Sequence, residues 1–186
     1  PNTLETIGES AFNTEEIEII FGNSLKTIGD YAFLKILNKS LTIPESVENI
    51  GDSAFYNQYG VSSLEELTVL GSKNMKQMAF KNHTKLSKLT IGPKVEHIGR
   101  YSFSGLAINS LTVPSSVKKI EPYAFADNKN LEKAIIGSEL IDEYSFQLNY
   151  ALKEVVFLDT VKTINESVFL ESDVTSFKFG VNSQIE

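Results

Sequence analysis

The sequence contains no cysteine, only two histidines and no run of basic residues. Without cysteine no disulfide can form, and the sequence does not indicate whether the protein lies in an oxidising or a reducing compartment. With 17 lysines and arginines against 24 aspartates and glutamates, the formal charge is −7. Nucleic acids and anionic membranes normally need a clustered positive surface, so we expect neither as a partner. No uninterrupted apolar stretch reaches the ~18 residues of a membrane-spanning helix.

One short phrase that ends in phenylalanine returns along the whole chain. It is clearest as IGDYAF at residues 28–33 and IGDSAF at residues 50–55. The recurring phenylalanines are Phe12, Phe33, Phe55, Phe80, Phe103, Phe125, Phe146 and Phe169. Their spacings of 21, 22, 25, 23, 22, 21 and 23 residues lie in the range of solenoid repeats. We therefore predict that residues 1–186 form a single array of about eight repeats of ~22 residues.

A short strand is predicted before each of these phrases. In the clearest repeat, Leu89 and Ile91 flank the polar Thr90, and Gly92 ends the run, a pattern typical of a strand with one buried face. Similar segments recur along the chain, the first being IEIIF at residues 17–21. Strands that recur in the same phase pair in parallel with the equivalent strand of the next coil. The predicted fold is a β-rich solenoid with a parallel sheet of about eight short strands on one wall.

Small residues precede most of the phenylalanines, as in Ser102-Phe103 and Ala124-Phe125. They suit a tight turn with the ring pointing inward, so we expect the phenylalanines to stack as an internal spine. Four tyrosines lie two residues before a phenylalanine: Tyr31, Tyr101, Tyr123 and Tyr144. We expect them to pack over the turns with their hydroxyls in water.

The combined phrase, "strand, Pro or Gly, x, x, Val, x, x, Ile-Gly, x, x, Ala-Phe", resembles the BspA-like leucine-rich repeat family over essentially the whole chain. The resemblance implies a right-handed coil or horseshoe whose second wall carries turns and short helical or 3-10 segments. It also implies a cell-surface or secreted protein that binds a host or matrix protein, or another cell-surface protein. The chain departs from the family in lacking the cysteine that often stands three residues after the phenylalanine. Met75-Lys76 replaces one Ile-Gly pair, which predicts an irregular coil there.

Candidate binding residues fall into two groups. On the predicted sheet, outward positions hold four threonines and two charged residues: Thr42, Thr68, Thr90, Thr112, Glu66 and Lys88. Threonine is also a good strand former, so this row has a purely structural explanation. Tyr56 and Tyr59 lie where one repeat is about three residues longer, and insertions in solenoids go to surface loops that often bind. A neutral insertion explains these tyrosines equally well.

Catalytic and metal-binding patterns are missing from the sequence. His83 and His97 occupy different repeat positions and have no partner at ligand spacing, so we interpret them as ordinary turn and surface histidines. No Ser/His/Asp or Cys/His set and no glycine-rich phosphate loop can be assembled. We expect no enzymatic activity, no cofactor and no metal.

The leading functional hypothesis is a protein-binding module used in adhesion. The alternatives are an intracellular structural scaffold and the recognition arm of an enzyme whose catalytic domain lies outside this segment. Because the repeat pattern is already under way at Pro1 and a ninth repeat begins at Gly180, we expect the chain to be a piece of a longer protein. Apolar coil faces at both ends predict further repeats or end-to-end self-association.

Overall fold

The computed structural model of the chain describes residues 3–12, 16–58, 60 and 63–181. These residues form fifteen strands, which lie on two walls of a parallel solenoid. The longer strands of the first wall are β3 (Ser40–Ile43), β5 (Glu66–Ser72), β7 (Lys88–Val95), β9 (Ser110–Val113), β11 (Lys133–Ile136), β13 (Glu154–Leu158) and β15 (Ser176–Val181). The two-residue strands of the second wall are β1 (Thr6–Ile7), β2 (Thr27–Ile28), β4 (Asn49–Ile50), β6 (Asn74–Met75), β8 (His97–Ile98), β10 (Lys119–Ile120), β12 (Leu140–Ile141) and β14 (Thr163–Ile164). The predicted parallel solenoid is confirmed.

The first wall consists of two parallel sheets, in the orders β3-β5-β7 and β15-β13-β11-β9. Equivalent residues of successive repeats lie opposite one another, as Leu41, Leu67 and Leu89 do in the first sheet. Inward residues such as Leu41 and Leu67 are buried, while the threonines between them face outward. Identical phase in the sequence thus becomes identical register in the sheet.

The strand expected at residues 17–21 is absent, so the described residues form seven long strands where about eight were predicted. Only an isolated bridge joins Ile17 to Ile36. The side chain of Asn38 takes the place of a ladder here: its Oδ1 accepts a hydrogen bond from Ile19 N, and its Nδ2 donates to Ile19 O, both at 2.8 Å. The Asn38 amide therefore bonds to the backbone N–H and carbonyl of Ile19, which in a strand would pair with the neighbouring strand.

The second wall lacks the expected helical or 3-10 segments throughout the described residues. Each of its short strands is followed by a turn in which one residue has φ between 54° and 62°. These residues are Ser10, Tyr31, Ser53, Met78, Tyr101, Tyr123, Tyr144 and Ser167. A left-handed residue in every coil interrupts a right-handed helix before it can form a turn.

The eight phenylalanines form the predicted spine in the core. Successive rings from Phe12 to Phe169 stack nearly in parallel, with centroids 4.9 to 5.6 Å apart. Phe33 to Phe146 are buried, whereas Phe12 is 40% exposed. This stack runs along the solenoid axis and holds the coils at a common spacing.

The predicted irregularity near Met75 appears as a break in the second wall. Met75 is itself buried and lies opposite Ile50. The sheet ends at β6, however, and a separate sheet begins at β8. The two-residue strands on either side remain adjacent, so the coil stack continues across the break.

Candidate protein-binding surfaces

The threonine row of the first wall is outward-facing. Thr42, Thr68 and Thr90 lie directly opposite one another in the first sheet, and Thr112 starts the second sheet opposite Ile135. Thr68 is half-buried, and the other three threonines are exposed. The structure therefore brings three of the four predicted residues into one ladder and places the fourth in the adjoining sheet.

Glu66 and Lys88 stand beside this row and pair with each other. Their side chains form an ion pair at 3.6 Å with both groups more than half exposed. Glu154 makes a similar pair with Lys133 at 3.4 Å and another with Lys178 at 2.8 Å. Exposed pairs of this kind contribute about 0–1 kcal/mol to stability. Their main effect is to leave the wall without a strong charge of one sign.

Of the two loop tyrosines, only Tyr56 belongs to the described residues. It is half-buried, and its backbone N–H donates to Ser53 O at 3.1 Å. Tyr59 lies outside the described residues, so a joint contact surface of the two rings stays a prediction.

Three of the turn tyrosines form an aromatic stack on the surface. Tyr123 lies 4.8 Å from Tyr101 and 5.1 Å from Tyr144, measured between ring centroids. The Arg100 guanidinium lies 5.2 and 5.3 Å from the Tyr101 and Tyr123 rings, and Lys81 Nζ lies 4.6 Å from Tyr101. The tyrosines pack over the turns as expected. Their cationic partners were missed, although the tyrosines recurring in three consecutive repeats were a visible signal.

A buried polar column runs three residues after the phenylalanines, where the family often has cysteine. Asn128 donates to the carbonyls of Phe103 and Phe125 at 3.1 and 3.0 Å, and Asn149 donates to those of Phe125 and Phe146 at 3.1 and 2.8 Å. These amides satisfy the backbone carbonyls of Phe103, Phe125 and Phe146. The column therefore supports the fold and offers no accessible chemistry.

His83 belongs to this buried column, which corrects its interpretation as a surface residue. Its side chain is 2% exposed, and Nε2 lies 2.6 Å from Phe55 O. Burial lowers the pKa of His83 to about 4, since the charged imidazolium would lose its hydration. His97 does lie near the surface, with Nε2 3.2 Å from Glu121 Oε1. Within the described part of the chain, no three histidine, aspartate or glutamate residues are placed to hold a metal ion.

His83 should make the protein sensitive to acid. The imidazole is neutral in the folded chain but has a pKa near 6.5 when unfolded, so protons favour unfolding as the pH falls from about 6.5 towards 4. We expect this group to cost about 2 kcal/mol of unfolding free energy at pH 5 relative to pH 8. His83→Asn, which places the residue found at Asn128 and Asn149 in this column, should remove that loss.

Urea denaturation of both proteins at pH 8 and pH 5 measures the effect. Exposed carboxylates titrate in both proteins, so the difference between their pH dependences isolates His83. Equal losses in the wild type and the variant would show that the imidazole is protonated in the folded state.

A second feature that sequence analysis missed is a row of charged residues at the corner between the walls. It comprises the residue before each second-wall strand: Glu5, Lys26, Glu48, Lys73, Glu96, Lys118, Glu139 and Lys162. We call these eight residues the charge row. Comparing the residue before each recurring strand would have revealed it in the sequence.

The charge row lines an open groove. The groove has a volume of about 1260 Å³, and five consecutive members of the row, from Lys26 to Lys118, lie along it. Apolar residues of the same corner, including Pro44, Leu70 and Pro93, also line it. None of the described residues belongs to a helix that could cross a membrane.

A family model and one crystal structure agree with this architecture. The model of the BspA type leucine rich repeat region matches residues 1–78 and 73–186 with six copies. A leucine-rich repeat protein from Bacteroides ovatus has a similar crystal structure, with a TM-score of 0.61 and 21% identity over 96% of this chain and 53% of that one. A leucine rich cell surface protein from Faecalibacterium prausnitzii gives a TM-score of 0.43 and 15% identity over 95% of this chain and 65% of that one.

This chain thus spans about half the length of the Bacteroides protein. At this level of identity the structural likeness establishes the fold alone. Comparison with curated protein sequences gives no significant match. Because the repeat model matches from residue 1 to residue 186, the chain belongs to the BspA type leucine-rich repeat family, whose arrays are protein-interaction modules.

Proposed function

We propose that this array is the protein-binding part of a cell-surface or secreted protein and that it acts in adhesion to host or matrix proteins. The observation that carries the proposal is the exposed threonine ladder of the first wall. Parallel-stranded solenoids commonly bind through such an extended wall. The name of the Faecalibacterium protein, a leucine rich cell surface protein, is in keeping with the proposed location.

The threonine ladder has the properties of a protein-contact surface. Short side chains keep the wall open to the approach of a partner, and each hydroxyl offers one donor and two acceptor positions. In the ion pairs beside the ladder, such as Glu66 with Lys88, each charge lies next to one of opposite sign. We therefore expect contacts with a protein partner to depend on shape and hydrogen bonds, with only a weak dependence on salt.

Binding to a panel of purified matrix proteins tests the proposed surface. The double variant Thr90→Lys/Thr112→Lys places two bulky cations on exposed positions of the first wall. We expect it to lower affinity for a bound matrix protein about tenfold or more, because the added charges must be desolvated at the contact. The matched control, Asn74→Lys/Thr163→Lys, adds the same charges at exposed positions of the second wall and should change affinity less than about twofold.

Equal losses in the two variants, or a loss only in the control, would move the contact away from the threonine ladder. Location is tested separately by protease treatment of intact producing cells and mass spectrometry of the released peptides. Release of array peptides from intact cells supports the surface role. Protection of the array until lysis contradicts it.

A further inference from the structure

The charge row alternates in sign at all eight positions, from Glu5 to Lys162. Its members come from consecutive coils, whose second-wall strands lie in register within the sheet β1 to β6 and within the sheet β8 to β14. At the break between these sheets, β6 and β8 are adjacent without a ladder. Hydrogen-bonded neighbouring strands are ~4.8 Å apart, so within each sheet the row presents one charge of alternating sign at roughly that interval. Its length is about 34 Å, seven such intervals.

Within one chain, only some neighbouring members of the charge row form ion pairs with each other. Ion pairs join Glu48 to Lys73 at 3.3 Å and Glu96 to Lys118 at 2.5 Å, and a further pair joins Glu139 to Lys162 at 2.6 Å. Hydrogen bonds from the lysines hold the pKa values of Glu96 and Glu139 below their ordinary value, so both are ionised at neutral pH.

Within the described residues, no ion pair joins Lys73 to Glu96, at the middle of the row. The lysines of the three pairs are still 56%, 67% and 71% exposed. Each ammonium group therefore keeps surface on which it can meet a second carboxylate.

We propose that the charge row docks against the charge row of a second copy of this chain, with the two solenoids antiparallel. A two-fold axis at the middle of the row would place the first position opposite the eighth, the second opposite the seventh, and so on. The resulting pairs are Glu5 with Lys162, Lys26 with Glu139, Glu48 with Lys118, and Lys73 with Glu96. Every pair joins opposite charges, and each occurs twice. A parallel arrangement in register would oppose like charges at all eight positions.

Spacing favours a second copy over a peptide. Two copies of the same chain have the same spacing between successive charges, so opposite charges of the two rows stay aligned along the contact. Alternate residues of an extended peptide are ~6.7 Å apart, and one helical turn rises ~5.4 Å. A helix with one charge per turn would already drift by about 4 Å over the row. Because stacked coils twist, we expect the closest contact near the two-fold axis, between Lys73 of one copy and Glu96 of the other.

The groove adds apolar surface to this contact. Five members of the row line it together with Pro44, Leu70 and Pro93, so apolar surface adjoins the charges. Exposed ion pairs are individually weak and are screened by salt. The expected product is a weak dimer whose orientation is set by charge and whose formation falls as ionic strength rises.

Sedimentation equilibrium of two charge-reversal variants tests the proposal. In Lys73→Glu, both central contacts of the homodimer become Glu against Glu, and in Glu96→Lys they become Lys against Lys. We expect each variant to self-associate about tenfold or more weakly than the wild type at low salt, because like charges then face each other. An equimolar mixture should recover wild-type association, since both central contacts of the mixed dimer again join opposite charges.

The mixture separates this proposal from the alternatives. Ion pairing within one chain gives no recovery on mixing, and end-to-end association persists in each single variant. Glu66→Lys, a charge reversal on the first wall, should leave self-association unchanged. Circular dichroism checks the folding of every variant, and the pair Glu48→Lys and Lys118→Glu provides the same test if either central variant unfolds. A wild-type chain that is monomeric at low salt, or variants that do not recover on mixing, would overturn the proposal.

Discussion

Replacing Phe103 by alanine is expected to lower the free energy of unfolding by about 3–5 kcal/mol, the usual cost of emptying a buried aromatic site. Phe103 is fully buried and stacks on Phe80 at 5.6 Å and on Phe125 at 5.5 Å. The variant loses both ring contacts as well as the buried area. Urea denaturation followed by circular dichroism measures the change.

The coils on either side of Phe103 hold the resulting cavity open. Phe103 N donates to Ala124 O at 2.8 Å, and Phe80 N donates to Ser102 O at 2.9 Å. These bonds tie the turn to both neighbouring coils, so the backbone cannot move in to fill the space without breaking them. The penalty for a large-to-small change is highest where the site cannot collapse.

Phe12→Ala is the matched control for this prediction. Phe12 occupies the same repeat position but is 40% exposed and, among the described residues, stacks only on Phe33, at 5.3 Å. Its removal should cost about 1 kcal/mol, because part of the ring is already in water. Similar losses for Phe12 and Phe103 would show that the spine contributes little beyond local hydrophobic contact.

The spine and the parallel walls could be predicted because they depend only on what recurs. Each repeat places the same ring and the same alternating strand at nearly the same interval, and identical units in phase stack in register. The absent first strand could not be predicted in this way. IEIIF has the alternation of its neighbours, and what removes its ladder is the side chain of Asn38, which lies 19 residues beyond Ile19.

The second wall could not be predicted for a different reason. Helical segments were expected there, but Tyr31, Tyr101 and Tyr123 adopt a left-handed backbone that nothing in a tyrosine side chain favours. The stacking of the coils selects this conformation, so it is a property of the assembled array. Local sequence carries no sign of it.

The same distinction applies to the surface: features set by strand phase could be predicted, and features set by the stacking of the coils could not. The outward direction of Thr42 and Thr90 follows from strand phase and was predicted. The contact of Lys81 with the Tyr101 ring was not, because Lys81 belongs to the preceding repeat and meets the ring only when the coils are stacked. The charge row was readable in the sequence, but its alternation gains a physical meaning only when its members become spatial neighbours.

Asn128→Ala should destabilise the protein by about 3 kcal/mol or more, through polar groups that stay buried. The Asn128 side chain is fully buried, accepts a hydrogen bond from Leu106 N at 2.7 Å and donates to Phe103 O and Phe125 O. Its removal leaves Leu106 N and Phe103 O without their Asn128 partner, whereas Phe125 O keeps the bond from Asn149 Nδ2. An unpaired buried group costs about 1–3 kcal/mol. The same urea denaturation measures the loss.

Asn165→Ala is the control, because it removes an asparagine amide that is exposed instead of buried. Asn165 is exposed and donates to Asp142 Oδ1 at 2.8 Å, so water replaces its bond, and we expect a change within about 0.5 kcal/mol. A small effect at Asn128 would mean that water enters the vacated site and bonds to Leu106 N and Phe103 O. In that case the amide column would serve to align successive turns, and the stability of the array would rest on the phenylalanine spine and the parallel ladders.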